Sequence, residues 1–415
     1  MASEWGFSTE QVHGGVEPDE GHGARITPVY LSNGFLFDDF DQARERFAGD
    51  DPGYIYTRYG NPTISGVERK IAQLERGAEA IAVASGQAAL TIAFLALLQQ
   101  GDHVVSARSI YEGTRGLLRE DFPRYGITAD FVADPNDPAQ LEAAIRPNTK
   151  AVFIESIPNP LNDVPDIAGV AEVAHAHGIP VIIDNTLGTP YHVRPIEHGA
   201  DIVVHSASKF LSGHGSAIGG VIVSSESRFV ADAPAEASAP AGLLGQPRGF
   251  AAKARSLAGR FGPTLSPLNA FLLQQGIETL SLRMERQSAN ALAIAQWLEA
   301  RPEVESVDYA GLASSPHRAL AERYLAGGAG AVFAFTLRGG EPAAKDLINA
   351  VKLWSRMTHL GDVRSLILHL QSTTHTHLSA AELEANGVGP GMIRLSVGVE
   401  DVADLIADLE QALEA

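Results

Sequence analysis

Short apolar runs alternate with helix-like stretches in the first half of the chain. Apolar positions recur at helical spacing in residues 87–100 and 167–178, between runs that are short and apolar enough to be buried strands. This alternation predicts an α/β fold, with a mainly parallel sheet and helices on both of its faces. Ligands in such sheets bind beyond the carboxyl ends of the strands. The predicted strands are residues 78–85, 103–107, 127–133, 150–156, 180–185, 201–206 and 219–224.

The pattern changes before and after this region. The first residues are rich in Gly, Pro and Asp and show little helical periodicity, until a helix is expected from its cap Thr63 to Gly77. A loop rich in Ala, Pro and Gly is expected over 231–247, and a long helical pattern begins near Ser266 and leads into further strands and helices. The predicted parts are an extended N-terminal arm over 1–62, a large domain over 63–264 and a smaller α+β domain over 265–415.

Composition narrows the classes of partner and site. The 31 basic and 50 acidic residues give a formal charge of 31 − 50 = −19, so we expect no nucleic-acid or membrane partner. The chain has no cysteine, which excludes disulfides and thiolate sites. No apolar run reaches the ~18 residues of a membrane span, and no signal-like pattern is visible near the N-terminus, so a cytoplasmic location is expected.

The segment over 200–220 is the first candidate for chemistry. A buried strand ends in Ser206 and Ser208, followed by Lys209 and a glycine-rich loop. Hydroxyl groups and loop N–H groups suit a phosphate, and partial desolvation of a strand-end lysine favours the neutral amine that forms an imine. The ordinary alternative is a solvated loop lysine. Neither the dinucleotide fingerprint nor the Walker phosphate loop occurs in the chain.

Asp184 is the second candidate. It ends the strand at 180–185, so in a parallel sheet it lies at the same edge as Lys209. A carboxylate at that edge suits the ring nitrogen of a pyridine cofactor, because a protonated ring is the better electron sink. The alternative is a turn or helix-cap aspartate.

Several motifs between about His13 and the final helix carry a family resemblance. They are YTRYGNPT, VASGQAAL, DNTLGTPY, VVHSASKFLSGHG, STTH and IRLSVGVE. With them the chain resembles the Cys/Met-metabolism family of pyridoxal-phosphate enzymes, of the aspartate-aminotransferase-like fold type I, and within it is similar to the O-acetylhomoserine sulfhydrylases. The resemblance implies pyridoxal 5′-phosphate as cofactor and γ-replacement on O-acetyl-L-homoserine with sulfide or a thiol, giving homocysteine or methionine and acetate.

The resemblance also assigns roles to residues. Lys209 is implied to be the Schiff-base lysine and proton shuttle, and Asp184 the partner of the pyridine nitrogen. Asn159 is implied to contact the ring hydroxyl, and Tyr111 to stack on the ring. The residues implied to bind the phosphate are Gly86, Gln87, Ser206 and Ser208, the first two at a helix N-terminus.

Two more sets of residues follow from the resemblance. Tyr56 and Arg58 are implied to reach the cofactor phosphate of a neighbouring subunit, which implies a homo-oligomer, either a dimer or a dimer of dimers. Arg394, whose planar fork suits a carboxylate, is implied to bind the amino-acid substrate together with His359 and Tyr56.

The substrate stays open at this point. His359 stands where the family pattern has Asn or Ser, and Leu370 and Gln371 stand where it has Pro and Ala. The alternatives are methionine or cystathionine γ-lyase activity, cystathionine γ-synthase activity, or a binding protein that keeps the fold without turnover. No metal is expected, because the H-T-H of His375 and His377 has no carboxylate placed to complete a site.

Overall fold

The computed structural model describes residues 5–17, 21–231 and 249–414. The first sheet has seven strands: β1 (Glu79–Val83), β2 (His103–Ala107), β3 (Thr128–Val132), β4 (Thr149–Glu155), β5 (Val181–Asp184), β6 (Ile202–His205) and β7 (Gly220–Ser224). Their order across the sheet is β1-β7-β6-β5-β4-β2-β3. Strands β2 to β6 pair in parallel, and β7 runs antiparallel to both of its neighbours. The predicted mainly parallel sheet is therefore confirmed.

Helices connect these strands and precede them. The fourth helix packs on β1, β6 and β7, and the third packs on β1 and β7. Short π- and 3-10 turns lie at Leu117–Asp121, Phe122–Tyr125 and Pro195–His198. The helices of this half are α1 (Phe7–His13), α2 (Phe40–Ala48), α3 (Pro62–Glu75), α4 (Gly86–Leu97), α5 (Glu112–Gly116), α6 (Pro138–Ala144), α7 (Ile167–Ala176), α8 (Thr189–His192), α9 (Arg228–Ala231) and α10 (Gly249–Phe261).

The N-terminal segment differs from the extended arm that we expected. It contains α1 and α2, which are both short. No side chain of α2 is buried, although Phe40, Ala43 and Phe47 recur at helical spacing along it. The cap of α3 is Asn61, whose side chain accepts from the Thr63 N–H, and the helix ends at Glu75 with Arg76 in the left-handed conformation. The predictions that Thr63 caps this helix and that it reaches Gly77 were wrong.

A second sheet has five strands: β8 (Val304–Asp308), β9 (Val332–Leu337), β10 (Ser355–Arg356), β11 (Leu366–His369) and β12 (Met392–Ser396). Their order across the sheet is β10-β11-β12-β9-β8. The long helix expected from Ser266 is two helices separated at Thr279, and Ser266 caps the first by accepting from the Leu268 N–H. The helices are α11 (Pro267–Glu278), α12 (Leu280–Glu299), α13 (Arg318–Tyr324), α14 (Gly340–Ala350), α15 (Ala380–Ala385) and α16 (Val402–Leu413).

The apolar core has two large parts, one around each sheet. Phe94, Phe153 and Ile183 belong to the first part, and Phe333 and Leu395 belong to the second. This separation is compatible with two domains, but the boundaries at 62 and 264 stay predictions.

The cytoplasmic location also stays a prediction. Among the described residues no helix has the length and apolar character of a membrane span. The predicted loop over 231–247 falls almost wholly outside the described residues.

Candidate active site

One cavity of about 490 Å³ collects most of the residues singled out in the sequence. It opens where β5 ends, where the turn after β6 begins, and where α4 starts behind β1. Since β1 and β6 both pair antiparallel with β7, these carboxyl ends meet at one edge of the sheet. The predicted residues that line it are Gly86, Gln87, Tyr111, Asn159, Asp184, Ser206, Ser208, Lys209, His359 and Arg394.

Lys209 lies in a tight turn directly after β6. Its N–H donates to the Ser206 carbonyl at 3.1 Å, and its own carbonyl accepts from the Gly213 N–H at 2.8 Å. Its Nζ lies in the cavity, 3.2 Å from His359 Nδ1. Burial, followed by the positive charge of Arg394, lowers the pKa of Lys209 to about 8. A larger share of this amine is therefore neutral near pH 7 than of an exposed lysine, as nucleophilic attack on an aldehyde requires.

Asp184 is the last residue of β5, and its carboxylate is buried. The Thr186 N–H donates to Asp184 Oδ1 at 2.9 Å. Burial raises the pKa of Asp184, while the hydrogen bonds from Thr186 and the charge of His205 oppose that rise. No lysine or arginine of the described residues forms an ion pair with it. A protonated ring nitrogen would supply the missing cation, so this carboxylate fits a pyridine cofactor.

The N-terminus of α4 faces the turn after β6 at very short range. A Cβ on Gly86 would lie 2.6 Å from Ser206 Cβ, so only glycine allows this approach. Ser85 caps the helix by accepting from the Ala88 N–H at 3.1 Å, and it too lines the cavity. Backbone N–H groups at a helix N-terminus beside the Ser206 hydroxyl make a suitable place for a phosphate.

Arg394 approaches the cavity from the second sheet. It lies on β12, is buried, and donates through Nη2 to the Thr358 carbonyl at 2.9 Å and the His359 carbonyl at 3.3 Å. Burial lowers the pKa of Arg394 to about 10, which still leaves it charged near pH 7. Three buried polar atoms of the cavity have no hydrogen-bond partner: Arg394 Nε, His359 Nε2 and Asn159 Oδ1. Such atoms are costly unless a ligand pairs with them.

Comparison with known proteins decides the family. Residues 8–414 match the family described as Cys/Met metabolism PLP-dependent enzyme. The chain belongs to this family. Its cofactor is therefore pyridoxal 5′-phosphate, which the anionic cradle and the buried Asp184 fit.

Relatives and solved structures agree with this assignment over the whole length. The chain is similar to an O-acetyl-L-homoserine sulfhydrylase of Corynebacterium glutamicum, 43% identical over 100% of this chain and 98% of that one. It is 40% identical to an L-methionine gamma-lyase of Treponema denticola, over 99% and 97% of the two chains. A crystal structure from Campylobacter jejuni, with N′-pyridoxyl-lysine-5′-monophosphate, superposes with a TM-score of 0.93 at 35% identity, covering 99% and 100%.

Sequence reasoning missed two residues of this enzyme's cavity that lie next to Asp184. Glu155 ends β4 as Asp184 ends β5, and its Oε1 accepts the Tyr111 N–H at 2.6 Å, which fixes the start of α5. Burial, followed by the negative charge of Asp184, raises the pKa of Glu155 well above its usual value. Thr186, in the motif DNTLGTPY, also accepts the Ser206 N–H at 2.8 Å.

Other missed residues lie on the opposite side of the cavity. Met357 and Thr358 come from the segment before His359, and Thr374 from the STTH motif. The local sequence around Met357, Thr358 and Thr374 does not indicate that they line a cavity. Glu155 could have been predicted, because it ends a strand of the parallel sheet as Asp184 does. Ser208 lines the cavity as expected, yet its hydroxyl is already bonded to Gly219, accepting from N–H at 3.0 Å and donating to the carbonyl at 3.2 Å.

Four of the residues that the family resemblance brought to attention do not line this cavity: Tyr56, Arg58, Leu370 and Gln371. Arg58 stacks 4.4 Å from the Tyr59 ring centroid and donates to the Gly259 carbonyl, and Tyr56 is 41% exposed. Leu370 is buried in a small separate apolar cluster, and Gln371 lies beside it in the chain. Of the departures from the family pattern, only His359 therefore faces the cavity.

The histidines near the H-T-H sequence have other contacts. His369 lies 2.7 Å from Ser372 Oγ through Nδ1 and 2.9 Å from the Pro390 carbonyl through Nε2. His377 Nε2 lies 3.3 Å from a Glu112 carboxylate oxygen. Within the described part of the chain, no group of three or more potential metal ligands forms.

Proposed function

We propose that this enzyme catalyses γ-replacement on O-acetyl-L-homoserine, with sulfide or a thiol as the incoming nucleophile. The products are acetate and homocysteine or methionine. The observation that carries the proposal is the cavity in which the Lys209 amine, the buried Asp184 and the Arg394 guanidinium meet. The likeness to relatives named O-acetyl-L-homoserine sulfhydrylase over the full chain length supports this choice of substrate.

The first sheet supplies the residues proposed to hold the cofactor. Asp184 would face the ring nitrogen and Asn159 the ring hydroxyl, while Tyr111 would cover the ring. The helix start at Gly86 and Gln87, with Ser206, would take the phosphate, and Ser208 would join them by turning its hydroxyl away from the Gly219 carbonyl. Pyridoxal phosphate supplies an electron sink that acidifies the hydrogens of a bound amino acid.

Lys209 and Arg394 are proposed to handle the substrate. Arg394 would bind the α-carboxylate, because its charge is buried and its Nε has no partner. Lys209 Nζ, once free, would take the proton from the α-carbon and hold it, since its lowered pKa suits a base near neutral pH. The neighbouring half-buried His359 would help to exclude water and to bind the substrate.

Substrate comparison tests the proposed reaction. Purified holoenzyme is given O-acetyl-L-homoserine with sulfide in one assay and L-methionine alone in another, and homocysteine and 2-oxobutyrate are both quantified. We expect homocysteine to form faster by far. Faster 2-oxobutyrate from methionine would contradict γ-replacement and favour γ-elimination, the second candidate, which the likeness to relatives named L-methionine gamma-lyase supports.

A homo-oligomer, most simply a dimer of dimers, is also proposed. Tyr56 and Arg58 lie outside the cavity of their own chain, which agrees with a role in a neighbour's site. The same segment exposes Leu31, Leu36 and Phe40, at 72%, 94% and 80%. Apolar side chains this exposed suit contact with a second copy. Tyr56 would then touch the cofactor phosphate and the substrate of that copy.

Subunit mixing tests this arrangement. Lys209→Ala and Arg58→Ala chains with different tags are expressed together, and the mixed oligomers are purified and assayed. If Arg58 acts in a neighbour's site, a mixed dimer contains one intact site and activity returns. Activity that stays absent in the mixed oligomers, with both chains folded, would contradict the proposal.

A further inference from the structure

Four buried polar side chains form a network on the side of the first sheet that faces away from the cavity. Ser156, Asn185 and His205 each stand one position from a residue that lines the cavity, so their side chains point to the other face of the sheet. The Ser156 hydroxyl donates to Asn185 Oδ1 at 2.7 Å. Asn185 Nδ2 and His205 Nε2 lie 2.8 and 2.7 Å from one oxygen, Oε1 of Glu75. Glu75, the last residue of α3, therefore connects the ends of β5 and β6 and, through Asn185, the end of β4.

The contacts of Glu75 indicate an ionised carboxylate. Two groups converge on Oε1, whereas Oε2 is buried and has no hydrogen-bond partner among the described residues. A hydrogen on Oε2 would be a buried donor without an acceptor, which is costly, and a charged oxygen is the stronger acceptor for the two groups on Oε1. Because Glu75 is fully buried, its charge needs a positive charge beside it.

His205 is the group placed to supply that positive charge. Arg76, the residue after Glu75, and Arg194 pair instead with Glu10, at 2.8 and 3.7 Å. A charged imidazole at His205 leaves its Nδ1 without an acceptor in the described part of the chain, but this costs less than a buried carboxylate without a counter-ion. Glu75 and His205 therefore form a buried ion pair.

The positive end of this ion pair lies closer to Asp184 than the negative end. Asp184 on β5 is aligned with Val204 on β6, and His205 is the next residue of β6. Since Nε2 is the tip of the imidazole ring and faces Glu75, the ring stands between that carboxylate and β6. The charge of His205 accordingly opposes the rise in the pKa of Asp184 that burial causes.

We propose that the Glu75–His205 ion pair keeps Asp184 ionised from the far side of the sheet, and thereby keeps a hydrogen on the ring nitrogen of the cofactor. Both are positioning residues, because neither lines the cavity. A ring that carries this hydrogen is the better electron sink, so the pair sets how strongly the cofactor withdraws charge. The inference rests on the proposed function only in taking Asp184 as the partner of that nitrogen.

The ring nitrogen itself reports the effect. Full-length chains are loaded with pyridoxal phosphate that carries nitrogen-15 in the ring, and the nitrogen chemical shift distinguishes a ring with this hydrogen from one without it. Glu75→Gln keeps an oxygen that can accept from Asn185 and His205 but removes the charge, so His205 should become neutral. We expect the chemical shift to move toward that of neutral pyridine, and the dissociation constant of the cofactor to rise about tenfold.

Two control variants separate charge from packing. Glu10→Gln removes another buried carboxylate, outside the network, and should leave the chemical shift as it is in the wild type. Ser156→Ala breaks the network without changing any charge, and it should leave the chemical shift in place as well. A change in Ser156→Ala as large as that in Glu75→Gln would overturn the inference, because packing rather than charge would then be the cause.

A change at His205 tests the other half of the pair. His205→Gln removes the positive charge and should move the chemical shift as far as Glu75→Gln does, with the double variant moving it no further. It carries the test by itself if Glu75→Gln does not fold. A shift that stays at the wild-type value in both variants but moves in Asp184→Asn overturns this inference alone. A shift that also stays in Asp184→Asn overturns, in addition, the proposed place of Asp184 at the ring nitrogen.

Discussion

The two ends of the cavity differ in how completely their polar atoms are paired. At the cofactor end, defined by Gly86, Asn159, Asp184, Thr186 and Ser206, the Asp184 carboxylate and the Ser206 N–H both bond to Thr186, and one buried oxygen, Asn159 Oδ1, has no partner. At the substrate end, defined by Thr358, His359 and Arg394, two buried nitrogens have no partner. The ends of two strands and the start of a helix hold the side chains of the cofactor end in place. At the substrate end, the unpaired nitrogens are free to bind a ligand. Variants at the two ends should therefore fail in different ways.

The largest effect is expected where the two ends meet. Lys209→Ala removes the covalent anchor of the cofactor and the proposed base together, so turnover should fall on the order of 10³-fold or more. Steady-state assay of homocysteine formation with added cofactor measures the loss. Lys150→Ala, a change at an exposed strand residue outside the cavity, is the control. Near-wild-type turnover in the Lys209 variant would contradict its role.

A change at the cofactor end should lower kcat more than it raises KM. Asp184→Asn keeps size and the backbone hydrogen bond but removes the negative charge, so cofactor should still bind while turnover falls about 10²-fold. Parallel measurement of cofactor content and of kcat separates binding from chemistry. A variant that keeps its kcat would show that the charge of Asp184 does not support the reaction.

A change at the substrate end should have the opposite profile. Arg394→Lys keeps a charge but loses the planar fork and the Nη2 bonds to Thr358 and His359, so KM should rise about tenfold or more with the cofactor spectrum unchanged. Substrate titration of holoenzyme gives KM. An altered cofactor spectrum with an unchanged KM would contradict the assignment of Arg394 to the substrate end of the cavity.

Glycine geometry gives a sharper test of the cofactor end. Gly86→Ala introduces a Cβ 2.6 Å from Ser206 Cβ, so the cradle must open and cofactor affinity should fall roughly tenfold. Gly116→Ala, with nothing within 4 Å of the added Cβ, is the matched control and should leave cofactor affinity as it is. Equal affinities in the two variants would mean that this close approach is not part of the phosphate site.

The smallest effect concerns pH. Because the Lys209 pKa is lowered to about 8, attachment of cofactor to the unloaded chain should accelerate as pH rises through about 8, rather than through the usual lysine range. Arg394→Gln removes a positive charge that contributes to this shift, so the midpoint should move upward, by less than the burial contribution. Stopped-flow absorbance across pH measures both midpoints. A downward move would contradict the assigned cause.

The cofactor end of the cavity was easier to predict from the sequence than the substrate end. Strand ends carry their chemistry in local sequence, so Lys209 and Asp184 and all seven strands of the first sheet were predicted. Arg394 and His359 were predicted from the family resemblance alone. Nothing in the local sequence of a strand arginine shows that it will be buried, as Arg394 is. Contacts between distant parts of the chain determine the rest. The pKa of Glu155 is raised because folding buries it beside Asp184. Leu370 packs into a separate apolar cluster, although Thr374, four residues later, lines the cavity.

The central claim is that one amine, at Lys209, carries the cofactor. A lowered pKa alone does not single it out, since burial also lowers the pKa of Lys70 to about 8, although Lys70 Nζ donates to the Gln11 carbonyl at 2.6 Å away from the cavity. Borohydride reduction of holoenzyme, followed by proteolysis and mass spectrometry, tests the claim directly. The account predicts a pyridoxyl label on Lys209 and none on Lys70; an unlabelled Lys209, with the label elsewhere or absent, would contradict it.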